Sequence, residues 1–283
     1  GQKPQVFIHM QDRQSSTIMH QLMRRYFNLI LMGAVITGLV ACASYSEHED
    51  HAEVKKLDPL VPREEPQKFS VQEDGRLPKG WSFYRVTPNK KNTAYRLQQY
   101  QGRTVLKAES NQSASGLAVK LNPRPSQHLW LKWEWKALSH LDQADNLDKY
   151  ADDAPLRLMV AFDGDRSKLS LKDRMVAEMA QLLSGQEMPY ATLMYVWSPK
   201  GQLEQIKNNP YTERVKLIAV DAGKENLGQW RMHQRDLTAD YIKAYGYAPG
   251  NLIGIALMTD TDATKSQTKA YYGDIELLYR KYR

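Results

Sequence analysis

The segment HLWLKWEWKA, residues 128–137, limits the fold more than any other stretch of this chain. Leu129, Leu131, Trp133 and Trp135 share one face, and Trp130, Lys132, Glu134 and Lys136 share the other. Alternation with period two marks a half-buried antiparallel strand, because successive side chains leave a pleated strand on opposite sides. The same pattern, or a short apolar run, recurs at 104–110, 116–121, 156–162, 191–198, 214–220, 229–235, 252–259 and 270–279. Clusters of Pro, Gly, Asn and Asp separate these runs. Many short strands divided by turns predict a mainly β chain, a sandwich of jelly-roll type. The 16 Tyr and 6 Trp agree with strands or with an aromatic-lined surface.

Two helical insertions interrupt this pattern. In LSLKDRMVAEMAQLLSG, residues 169–185, helical spacing puts Leu171, Met175, Val176, Met179, Leu182 and Leu183 on one stripe, with Gly185 as cap. A stripe of that kind between two strands predicts a lid or crossover packed on a sheet, its methionines in the core. RDLTADYIKAYG, 235–246, has Asp236 as N-cap and Gly246 as terminator.

The single cysteine, Cys42, sets the expected compartment. MRRYFNLILMGAVITGLVAC, residues 23–42, joins two arginines to an apolar run and closes on Leu39-Val40-Ala41-Cys42. These are the charged, apolar and small-residue regions of a secretory signal. The 13 residues from Leu29 to Ala41 give about 20 Å of helix, too short for a bilayer core of about 30 Å. The ending resembles the bacterial lipobox, which implies that Cys42 is lipidated and holds the protein on a membrane. Ala43 follows, where Asp would resemble an inner-membrane retention signal, so the expected location is the outer membrane, facing the periplasm. Natural translation is expected from Met23, with Met19 second, and residues 1–41 then form an upstream extension and signal peptide. Residues 42–69 are charged and proline-punctuated and read as the lipidated cysteine and a flexible tether, leaving 70–283 as the sandwich domain.

The formal charge of +7 carries little information about nucleic acid. Residues 1–41 hold Lys3, Arg13, Arg24 and Arg25 against Asp12, so +4 remains for the rest. No basic stripe interleaved with aromatics follows, and nucleic acid is not an expected partner. HExxH, GxSxG, Walker and GxGxxG patterns are absent from the sequence, and beyond the tether only His128, His140 and His233 offer a base. Catalytic residues are therefore not assigned.

Carboxylates and aromatics remain as candidates for a site. Asp260, Asp262 and Asp274 lie within MTDTDATKSQTKAYYGDIEL, 258–277, between two runs expected to pair as a hairpin. They suit a turn that bonds its own backbone, or a structural calcium, which needs 6–8 oxygen ligands. Asp152 and Asp153 stand at one end of the 156–162 run, with Asp163 and Asp165 at the other. Seven residues of strand separate those pairs by about 23 Å, so the two ends cannot form one acid/base couple. Asp152 and Asp153, with Trp197 and Tyr211 as stacking rings, are the expected ligand-binding set.

Four stretches carry a resemblance: DDAPLRLMVAFDGD (152–165), YVWS (195–198) with NPYTERVKLIAVDAG (209–223), WRMHQRDLTADYIKAYG (230–246), and IGIALMTDTDATKSQTKAYYGDIEL (253–277). The chain resembles the uncharacterised bacterial envelope family known as domain of unknown function 3047, over roughly residues 77–279. That resemblance implies a galactose-binding-like β-sandwich and no particular activity. Ala263 departs from the family pattern, where Asn follows the second Asp, and this removes a side-chain carboxamide ligand. The expected function is non-catalytic binding at the envelope, with a glycan as ligand. The alternatives are a glycan-acting enzyme using Asp152 or Asp153 with Asp260, Asp262 or Asp274, and a structural subunit of an envelope assembly.

Overall fold

A computed structural model describes residues 59–125 and 128–280, and the signal, Cys42 and the start of the tether lie outside them. Two β-sheets face each other. Sheet A runs β11 (Arg231–Asp236), β6 (Leu129–Ala137), β13 (Gln267–Arg280), β4 (Arg103–Asn111), β3 (Ala94–Tyr100), with β1 (Leu60–Pro62) added to β13. Sheet B runs β2 (Trp81–Arg85), β5 (Ala114–Pro125), β12 (Asn251–Asp260), β7 (Ala154–Phe162), β8 (Ala191–Ser198), β10 (Val215–Ala222), β9 (Ile206–Asn208). Pairing is antiparallel throughout except between β8 and β10. From β4 to β7 and again from β10 to β13 the chain changes sheet at every step. The fold is a mainly β, jelly-roll sandwich with two helices, as the strand spacing predicts. Among the described residues no helix is long and apolar enough to cross a membrane.

Alternation decides what lies between the sheets. Leu129, Leu131, Trp133 and Trp135 of β6 are buried, and they meet Leu193, Tyr195 and Trp197 of β8 in one core. Trp133 lies 5.0 Å from the Tyr195 ring and 5.5 Å from Trp135. The alternation of β11 has the opposite sense to the one its composition suggests. Met232 is 65% exposed, whereas His233 is turned inward against Trp133 and within 2.6 Å of Asp221. A strand can turn its polar face inward when each polar group finds a partner there. Asp221, 1% exposed, accepts from Trp135 Nε1 at 2.7 Å and from Arg231 Nε at 2.9 Å. These donors and His233 outweigh burial and hold the Asp221 carboxyl below its ordinary value.

Two expectations need correction here. The sandwich takes in residues read as tether: Leu60–Pro62 pairs with β13, Arg63 N donates to Leu277 O, and Phe69 is buried against Trp81. The proline-rich composition of 60–69 concealed a short edge strand. The second correction concerns α1 (Leu171–Ser184). Its caps are as expected, Ser170 accepting from Asp173 N and Gly185 in the left-handed region, but none of its residues is buried. Leu171, Met175, Met179 and Leu182 are 54–79% exposed. Helical period reveals an apolar face without saying what covers it. The second helix, α2 (Leu237–Tyr245), begins at Asp236 and ends at Gly246 as expected, and it buries Leu237 and Tyr241.

Candidate ligand groove and its acidic end

The outer face of sheet B carries a groove of about 400 Å³. Its floor follows from the strand register. Ala118, Ala256, Met159 and Met194 lie side by side across β5, β12, β7 and β8, and Leu217 of β10 continues the row beyond the groove. The next row of the sheet is Gly116, Met258, Arg157 and Val196, of which Met258 and Arg157 line the groove. Small residues on β5 and β12 leave a trough, and methionines on β12, β7 and β8 fill its side. This is a second apolar cluster, separate from the core between the sheets. Tyr84 and Val86 form one wall, and Met188, Pro189, Lys149 and Tyr211 belong to the other. The Tyr211 hydroxyl donates to Lys149 O at 3.1 Å, joining two loops over the groove.

One end of the groove is charged. Arg157, 1% exposed, donates from Nε to Asp260 Oδ1 at 2.8 Å, and from Nη2 to Asp260 Oδ2 at 3.0 Å and Asp152 Oδ1 at 2.9 Å. Burial works against the guanidinium, but Asp152 and Asp260 outweigh it and raise its pKa above the ordinary arginine value. One cation thus serves two carboxylates. Burial, reinforced by Asp152 and Asp153, pushes the Asp260 carboxyl up to about 7 against the pull of Arg157. Asp262 pairs with Lys90. Asp153, fully buried, accepts from Ala263 N at 3.1 Å, Thr264 N at 2.7 Å and Thr264 Oγ1 at 2.6 Å. It pins the loop that follows β12.

The structure divides the expected site residues. Asp152, Tyr211, Asp260 and Asp262 line the groove. Asp153 stands behind it, spent on the loop. Trp197 is no stacking platform: it is 1% exposed in the core, its Nε1 donating to Gly223 O at 3.1 Å. Because β8 is apolar on both faces, period two could not say which of its faces turns inward. Asp274 leaves the metal set altogether. β12 and β13 belong to different sheets, so the expected hairpin is a crossing, and Asp274 accepts from Ser70 N at 2.9 Å and Ser70 Oγ at 2.6 Å instead. Arg157 is the groove residue that the sequence pattern leaves unassigned, although a lone arginine inside the apolar run LRLMVAF is a readable signal.

Among the described residues the group that could receive a cation is Asp153, Asp260 and Asp262, whose carboxylate oxygens come within 4.8 Å of one another. Arg157 and Lys90 already supply positive charge there, and Asp153 already accepts three hydrogen bonds. Calcium would have to displace Lys90 and find several more oxygens. Thermal melts in calcium and in chelator are therefore expected to superimpose. A calcium-dependent rise in Tm would assign a metal to Asp153, Asp260 and Asp262, a set different from the expected Asp260, Asp262 and Asp274.

Comparison with known proteins adds the family. The family 11 carbohydrate-binding module of a cellulosomal cellulase from Clostridium thermocellum has a TM-score of 0.38 at 9% identity, covering 80% of this chain and 98% of that one. Endoglucanase 3 of Trichoderma harzianum, from family GH12, has a TM-score of 0.39 at 7% identity, covering 74% and 94%. Likenesses at this level assign no ligand. Comparison with the curated proteins finds no match. Residues 79–276 match the family described as protein of unknown function (DUF3047), and the chain belongs to that family.

Proposed function

We propose that this domain is a non-catalytic binding module, held at the outer membrane by a lipid on Cys42, and that it binds a glycan in the groove over sheet B. The groove carries the reading: an apolar trough rimmed by Tyr84 and Tyr211, with Arg157 and the carboxylates of Asp152, Asp260 and Asp262 at one end. Binding sites for small molecules are concave and mostly apolar, with a few placed polar groups, and sugar rings lay their C–H faces on tyrosine. Tyr211 is 56% exposed and held by its hydroxyl, so its ring is both accessible and oriented. Asp260 and Arg157 are buried and bonded to each other, which suits support of a site better than proton transfer to a ligand.

Calorimetry with neutral oligosaccharides and alkyl glycosides tests the reading. At least one is expected to bind, and Tyr211→Ala to weaken it roughly tenfold, the scale of one aromatic contact. If no glycoside binds, or if Tyr211→Ala binds as the parent does, the groove is not a glycan site. The anchor is tested by fractionation. Cys42→Ser is expected to leave the membrane fraction, and its retention there would overturn lipidation.

A further inference from the structure

Resting on that binding reading, we infer that the ligand is amphiphilic: a neutral sugar head at the charged end of the groove and an aliphatic chain along its floor.

The floor is the first ground. Its central row, Ala118–Ala256–Met159–Met194, carries no hydrogen-bonding side chain apart from weakly accepting thioethers. A sugar placed there would lose water from its hydroxyls and gain no partners, which is costly. An aliphatic chain loses nothing, and methionines adapt to its shape.

Charge is the second ground. The lining cations are Lys90, Lys120, Lys149 and Arg157, and the lining anions are Asp152, Asp260, Asp262 and Glu187, equal in number. Arg157 is bonded to Asp152 and Asp260, Lys90 to Asp262, and Glu187 to Arg166. The lining thus carries no net formal charge, with Lys120 and Lys149 outside these pairs and Glu187 turned to Arg166. The end that takes the head is the one where Arg157 and Lys90 are already engaged by carboxylates. Paired donors and acceptors suit hydroxyls, which both give and receive hydrogen bonds. The head is therefore neutral and hydroxyl-rich.

The third ground lies at the groove wall. Met188 and Pro189 line it three and four residues after the Gly185 cap of α1. That helix exposes Leu171, Met175, Met179 and Leu182. Apolar surface left open on the element leading into the groove is what a ligand with an apolar tail meets on entry.

A chain-length series tests this. Hexyl, heptyl, octyl and nonyl β-glucosides, each below its micelle concentration, are titrated into the full-length protein together with free glucose. Affinity is expected to rise about fourfold per added methylene, the equivalent of about 0.8 kcal/mol of burial, until the trough is full. Ala118→Phe, which fills the trough from the β5 side, is expected to flatten the series, and Met194→Gln to reduce its slope should the first variant fold poorly. Binding that is equal for all chain lengths, or equal for free glucose, overturns the amphiphile and leaves the glycan site standing. Absence of binding by every glucoside overturns the amphiphile, and absence of binding by the oligosaccharides as well overturns both.

Discussion

Arg157→Met is expected to destabilise the domain by about 3–5 kcal/mol at pH 7.5, the scale found when one partner of a buried ion pair is removed. Methionine matches much of the arginine stem, so the loss is electrostatic rather than a cavity. It leaves Asp260, only 4% exposed, without the two bonds that Nε and Nη2 supply, and Asp152 without a third. The pH dependence has a definite sign. The folded-state Asp260 carboxyl already sits at about 7, above the ordinary value of about 3.9. Folding therefore takes up a proton between those values. The associated stability is fully present below the unfolded value and is lost as pH rises through the folded one. Removing Arg157, which pulls the carboxyl down, moves the folded value higher still. The penalty in the variant should then shrink at pH 5, where Asp260 is protonated and no bare carboxylate is buried. Urea denaturation at pH 5 and 7.5 measures both numbers. A loss under about 1 kcal/mol, or the same loss at both pH values, would show that Asp260 does not depend on Arg157.

The same strand shows how far sequence reaches. β7 was readable because 156–162 is short, apolar and bounded by acidic turns, and Arg157 was readable within it as a charge that must find a partner inside. What could not be read was the partner. Asp260 lies 103 positions away, and only the pairing of β7 with β12 brings it into reach. Register between distant strands depends on how whole sheets assemble, and no local pattern encodes it. For the same reason Asp274 looked like a neighbour of Asp260 and is not. A loop of six residues between β12 and β13 can close a hairpin or cross to the facing sheet, and the residues 261–266 do not distinguish the two. The groove floor was legible only in retrospect: Ala118, Ala256 and Met159 are ordinary strand residues until register lines them up. Helix α1 gives the converse case, since its caps and length came from local rules while its apolar stripe suggested a burial that the fold does not supply.

Trp135→Ala is expected to be equally damaging, and two variants separate its causes. Trp135 is fully buried, and truncation of such a side chain to Ala costs about 3–5 kcal/mol through lost burial and the cavity left behind. It also donates Nε1–H to Asp221, itself 1% exposed, and Ala removes that donor as well. Trp135→Phe keeps most of the ring and removes the N–H. Arg231 and His233 still reach Asp221, so the carboxylate keeps partners on both oxygens. Phe should therefore cost about 1.5–3 kcal/mol, the range for a hydrogen bond to a charged group, and Ala distinctly more. If the two variants lose the same stability in urea, the hydrogen bond to Asp221 dominates and the packing of Trp135 against Trp133 is secondary. If Phe is neutral, Arg231 and His233 satisfy Asp221 without help, and the core between β6 and the facing sheet is held by volume alone.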